Sequence, residues 1–163
     1  MKSSHRFPRL PAAAGAVATA VLLAAAPGCA VTDAKAPVPV PSPAAAEAAY
    51  CRALHRELPD TVSGLRRSET EPRSELTAVW GDGAIVLRCG VPRPARMSDP
   101  QAQAVEADGV DWLVEQRKGT GPRFTTTYRR AYVELSLDRR FAYDAGPLVA
   151  FAGPVGKAVP PSL

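Results

Sequence analysis

The chain has 163 residues, a formal net charge of +4, 17 prolines and three cysteines. That length allows one domain with an appended segment. Residues 1–28 hold Lys2, Arg6 and Arg9 and no acid, so the remainder carries 17 basic against 16 acidic side chains, a net +1, which argues against a nucleic-acid partner.

Lys2, His5, Arg6 and Arg9 precede an unbroken small and apolar run from Ala12 to Ala26. At about 1.5 Å per residue the run spans about 22 Å, short of the ~30 Å hydrocarbon core. A basic start, a short apolar stretch and then small residues form the pattern of an export signal, read here as residues 1–28. A short uncleaved anchor is the competing reading. Ala26-Pro27-Gly28-Cys29 resembles a bacterial lipobox, with Ala26 where leucine is usual and Pro27 where alanine or serine is usual. Cys29 is therefore the candidate lipidation residue, and ordinary cleavage near Ala30 is the alternative. A two-chain lipid there would suffice for stable membrane attachment.

Val31 to Pro43 carries four prolines in thirteen residues. At about 3.1 Å per residue such a segment reaches about 40 Å as a stiff spacer. Residues 29–43 are expected to link the anchor to a single globular domain over 44–163.

Ser42-Pro43 reads as a helix start, with Ser42 as N-cap and Pro43 in the first turn. AAAEAAYCRALHREL follows, and Pro59 ends it. Tyr50, Ala53, Leu54 and Leu58 line one stripe, with Cys51 at its border. Most of the rest is strand-like. Thr61–Arg67 is expected as one strand weakened by Gly64, and Glu69–Ser74 as loop. Leu76–Trp80 and Ala84–Cys89 are short, apolar runs joined by Gly81-Asp82-Gly83, a hairpin signal. Pro92–Gln103 holds three prolines and reads as an excursion. Gln103–Glu106 and Val110–Gln116 flank Asp108-Gly109, a strong type I′ turn signal. Lys118–Pro122 is another turn. Phe124–Leu137 alternates, then changes phase at Val133, which predicts a bulge or bend. Pro147–Val159 is expected as a second helix, weakened by Gly153-Pro154. The expected fold is α+β: five to six mostly antiparallel strands with an N-terminal and a C-terminal helix on one face.

With Cys29 set apart, Cys51 and Cys89 remain, and in an exported protein an even remainder reads as a disulfide. Two other readings stay open. Cys51 and His55 are four apart, hence on one helix face, and with Cys89 could ligate a metal. Alternatively Cys89, beside Arg88, could be a nucleophile with His55 as its base.

Chemistry is otherwise sparse. His55 is the only histidine after residue 28, and there is no G-x-S-x-G, H-E-x-x-H, phosphate-binding or dinucleotide motif. No cofactor, metal or catalytic residue is assigned. Asp108 is explained by its turn, and Asp111 and Glu115 by a solvated strand face. Trp80 and Trp112 read first as core and second as stacking platforms. Arg66, Arg67, Arg129 and Arg130 are candidate anion-binding residues, with Arg117-Lys118 and Arg139-Arg140 beside them. In a strand, though, only one of each pair can point at a shared patch.

The order of these pieces resembles a family of small exported actinobacterial proteins, domain-of-unknown-function family 3515. The residues that carry the resemblance are Cys51, Leu58-Pro59, Thr61-Val62-Ser63-Gly64 and Arg66-Arg67, then Ala78-Val79-Trp80-Gly81. Ile85-Val86-Leu87-Arg88-Cys89-Gly90-Val91 follows, then Gly109-Val110-Asp111-Trp112, Arg123-Phe124-Thr125-Thr126 and Tyr128-Arg129. The resemblance implies a secreted or membrane-attached protein, often a lipoprotein, and implies no activity. The reading that results is a non-enzymatic binding or accessory module on the outer face of the cytoplasmic membrane, or secreted if Cys29 is not lipidated. Its expected partners are the membrane, through the lipid, and a cell-wall polymer or envelope protein. A wall hydrolase using carboxylates or His55, or a structural subunit of a membrane complex, are the alternatives.

Overall fold

The computed structural model describes residues 36–162. The export segment, Cys29 and the first residues of the spacer lie outside that range.

In chain order the elements are β1 (Ala36–Pro37), α1 (Ala45–Glu57), β2 (Thr61–Val62), β3 (Leu65–Ser68), β4 (Thr70–Glu71), β5 (Thr77–Trp80) and β6 (Ile85–Val91). Then come β7 (Gln103–Ala107), β8 (Val110–Glu115), β9 (Arg123–Thr126), β10 (Tyr132–Leu137) and α2 (Val149–Ala158). Eight strands form one antiparallel sheet in the order β2-β3-β5-β6-β10-β9-β8-β7, and β1 pairs with β4 in a separate two-stranded parallel ribbon. The α+β class holds, with eight strands rather than five or six.

The extra strands have local causes. Thr61–Arg67 is not one strand: Ser63 and Gly64 take φ of +49° and +77°, folding it into the β2–β3 hairpin. Gly64 marks the turn, not a weak spot in a strand. Phe124–Leu137 is also two strands. The phase change at Val133 reflects a chain reversal, which pairs Glu134 with Thr125 and Leu135 with Phe124. A register irregularity does fall between Tyr132 and Val133, where β10 meets β6. Asp108 and Gly109, with φ of +45° and +77°, make the expected tight turn.

The β6–β10 pairing joins two meanders, residues 61–91 and 103–137, into one sheet. After β6 the chain leaves through the proline-rich excursion, which holds a 3₁₀ turn at Ala95–Ser98, and restarts at the far edge in β7. Alternation then sorts the side chains. Trp80, Ile85, Leu87, Cys89, Val133, Leu135, Phe124 and Trp112 join Leu54, Phe151 and Val155 of the helices in one buried core. The opposite face carries Thr77, Arg88, Glu134 and Thr125 in one cross-strand row, and Val86, Ser136, Arg123 and Glu115 in the next.

The helices pack on each other, α1 also on β6 and α2 also on β8. The N-cap of α1 is Ala44, two residues later than Ser42, and Glu47 of the first turn accepts the Ala44 N–H at 3.2 Å. Glu47 thus satisfies the Ala44 N–H, the half of a capping box that an alanine N-cap still allows. Cys51 and Cys89 are disulfide-bonded with their Cα atoms 5.4 Å apart, tying α1 to the central strand β6.

The last part of the proline-rich segment is not free. Val38 N–H donates to Glu71 O at 3.0 Å and Val38 is 3% exposed. Arg88 Nε donates to Pro39 O at 3.0 Å, and Pro43 lies against Gly90. Residues 36–43 therefore lie against the body of the domain, extended as their prolines require, and the globular unit begins before Ala44.

Candidate functional site

A cleft of about 770 Å³ lies between the C-terminal end of α1 and strands β3, β4 and β5. Arg67 organises its floor. The register places Arg67 opposite Trp80, on the face that packs against α1. Its guanidinium donates to His55 O at 3.3 Å and Leu58 O at 3.5 Å, carbonyls at the helix end that have no partner within the helix. A cation there also complements the negative end of the helix dipole. The guanidinium lies 5.9 Å from the centroid of the Trp80 ring, within cation–π range. Trp80 is fixed in turn by its indole N–H, 3.0 Å from Pro59 O, and by an edge-to-face contact with Phe151 at 5.0 Å.

Nη2 of Arg67 lies 2.9 Å from Nε2 of His55. A guanidinium has no acceptor, so Nε2 accepts and the ring proton resides on Nδ1. His55 Nδ1 is buried and has no hydrogen-bond partner among the described residues. Burial first, and the Arg67 charge second, hold the His55 pKa below its ordinary value of 6.5, against smaller opposing effects of Glu75 and Glu69. The imidazole is thus neutral, with its lone pair already taken. Burial likewise lowers the Arg67 pKa, opposed by Asp60 and Glu69, and the group remains a cation.

The walls are polar. Asp60, Glu69 and Glu75 line the cleft together with Arg67 and Arg73. Arg73 binds Glu69 through both Nε and Nη2, the latter at 2.7 Å. At the base Thr70 Oγ1 donates to Pro72 O at 3.0 Å, so Thr77 donates to Thr70, also at 3.0 Å. The arrangement can bind a polar group bearing both hydrogen-bond donors and acceptors.

The four candidate arginines do not form one patch. Each pair splits: Arg66 and Arg130 are exposed, while Arg67 and Arg129 turn inward. Arg129 donates to Val159 O at 3.1 Å, at the C-cap of α2, and to Gly109 O at 3.2 Å. Both inward members therefore secure helix C-termini, Arg67 from β3 and Arg129 from the loop between β9 and β10, and three strands separate β3 from β9 in the sheet. Cys51 and Cys89 have no free thiol, so neither the metal-site nor the nucleophile reading of Cys51, His55 and Cys89 has its ligands. Arg88 points to the opposite face from Cys89, onto Glu134 at 3.3 Å. Trp80 and Trp112 are both core, fully buried. Asp111 is exposed, and Glu115 pairs with Arg123 through two contacts of 2.9 and 3.0 Å. That contact raises the Arg123 pKa.

The Arg67–His55 contact leaves no local mark in the sequence, because twelve residues separate the partners and only the β2–β3 hairpin brings them together. Fold and site together define a small disulfide-stapled α+β domain with a polar cleft at a helix end. The chain belongs to the family described as "Protein of unknown function (DUF3515)", whose model matches residues 11–162. No curated protein and no solved structure matches it.

Proposed function

We propose that this protein is an envelope-tethered binding or accessory module, lipid-anchored through Cys29 outside the cytoplasmic membrane, with both helices on one face of its sheet. It holds a polar ligand in the cleft beside Arg67 without transforming it. The observation that carries this reading is the 2.9 Å contact between Arg67 Nη2 and His55 Nε2. A general base needs a free lone pair within reach of the proton it removes, and the arginine occupies that position. The net charge of +1 after residue 28, and a cleft lined by both signs, favour a polar wall component over an extended polyanion.

The test uses isolated cell-wall sacculi, followed for both sedimented protein and soluble fragments. Co-sedimentation with no fragment release is the expected result. Fragment release that disappears in His55→Ala would replace this reading with the hydrolase. No co-sedimentation would remove the wall polymer as the ligand. An intact mass from native membranes beginning at Cys29 plus acyl chains is expected for the anchor, and an unlipidated mass would overturn it.

A further inference from the structure

On another part of the fold, the loop between β9 and β10 presents Tyr128 with φ of +52° and 64% of its surface exposed. A bulky residue rarely adopts that backbone conformation, and it persists only where its surroundings over-determine it. Here they do. Thr127 N–H donates to Asp111 O at 2.9 Å, Ser162 N–H to Tyr128 O at 2.9 Å, and Arg130 N–H to Pro160 O at 3.0 Å. The Arg129 guanidinium fastens the same loop to Val159 and Gly109. A rigid frame thus holds an aromatic ring out in solvent at a backbone angle that glycine would adopt more readily.

The ring is shared by two hollows of about 310 and 350 Å³, both walled by Asp111, Thr127 and Tyr128. The larger adds apolar surface from Met97, Leu113 and Tyr132, with Arg93 and Gln103 at its rim. Arg93 is itself held by Ser98 Oγ at 2.8 Å and Met97 O at 3.1 Å. Apolar area with a few placed polar groups is the make-up of a small-molecule site.

We propose that this hollow binds a pyranose ring of a glycan, its apolar face against Tyr128 and its hydroxyl or acetamido groups on Asp111 and Arg93. Such a ring has a flat C–H face for the aromatic surface and a rim of groups that both donate and accept. Asp111 supplies acceptors and Arg93 donors. A peptide strand fits less well. It would pair with the open backbone of the edge strand β7, whereas the hollow is walled mainly by Asp111, Leu113, Thr127 and Tyr128, inward of that edge. The proposal rests on Tyr128 and the lining of this hollow and does not depend on the His55–Arg67 cleft.

The test is calorimetric titration of the 163-residue chain with chitotetraose, a β-1,4-linked N-acetylglucosamine oligomer. Saturable binding is expected, kept by Tyr128→Phe and weakened about tenfold or more by Tyr128→Gly, which removes the ring's apolar contact area. Tyr128→Gly suits the backbone angle, and a melting curve confirms its fold. Should it fail to fold, exposed Asp111→Ala is expected to weaken binding in the same assay. No saturable binding by the native chain, or an unchanged affinity in a folded Tyr128→Gly or Asp111→Ala variant, overturns the proposal.

Discussion

His55 Nε2 and Arg67 Nη2 lie 2.9 Å apart, a contact that only a neutral imidazole can accept. The pair joins the last turn of α1 to strand β3, so the protonation of one ring is coupled to the packing of a helix on a sheet.

A pH dependence follows from the sign of the shift. The folded-state pKa of His55 is below 6.5. As pH falls through the unfolded value the unfolded chain takes up a proton that the folded chain refuses, so stability declines until the lower folded value is passed. The melting temperature should therefore drop more steeply between about pH 7.5 and 5 for the native chain than for His55→Gln, which has no titrating ring. Carboxylates contribute equally to both curves, so parallel curves would contradict the assignment.

The Cys51–Cys89 bridge closes a loop with a sequence separation of 38. Chain entropy alone puts its contribution at roughly 4 kcal/mol. Urea unfolding with and without reductant, and of the Cys51→Ala/Cys89→Ala variant, should show a loss of that order. A change under about 1 kcal/mol would mean that the reduced chain keeps α1 and β6 together in its unfolded ensemble.

Gly90 has φ of +84°, and a Cβ there would come 2.5 Å from Pro43 Cγ. A proline ring cannot swing aside. Gly90→Ala should cost about 1–3 kcal/mol and lift the Pro43 segment from the domain. Hydrogen exchange at Val38 N–H, bonded to Glu71 O at 3.0 Å, should then accelerate. Unchanged exchange would show that the segment is held independently of Pro43.

The two buried tryptophans make a matched pair. Trp80 Nε1 donates to Pro59 O at 3.0 Å, whereas Trp112 Nε1 has no partner among the described residues. Trp80→Phe loses a hydrogen bond, and Trp112→Phe removes an unpaired donor. Trp80→Phe should therefore be the more destabilising by about 1–2 kcal/mol in denaturant titrations. The reverse order would place a partner on Trp112.

What could be read from the residues was local. Cysteine parity gave the disulfide, Gly81-Asp82-Gly83 and Asp108-Gly109 gave turns, and Pro59 gave the end of α1. What failed depended on long-range pairing. Ser63-Gly64 is as good a turn as Asp108-Gly109, but the short β2 beside it lacks the alternating run that would mark a strand. A phase change at Val133 is equally consistent with a bulge and a reversal, and only the partner strands decide between them. Proline content gave the extended conformation of residues 36–43 but not the surface they lie against. The arginine pairs had the right residue type for a patch, yet Arg67 and Arg129 answer to helix carbonyls that no sequence window contains.

The disulfide has a mechanical meaning as well. A load applied to the N-terminal segment would be resisted first by the two-residue β1–β4 ribbon and by the contacts of Val38 and Pro43, then by the first turns of α1. Peeling would stop at Cys51, because from there the force passes through a covalent bond into β6, the strand clasped between β5 and β10 at the middle of the sheet. A chain pulled from its front end would thus yield its first fifteen or so described residues and keep its cleft, its sheet and its Tyr128 hollow under tension.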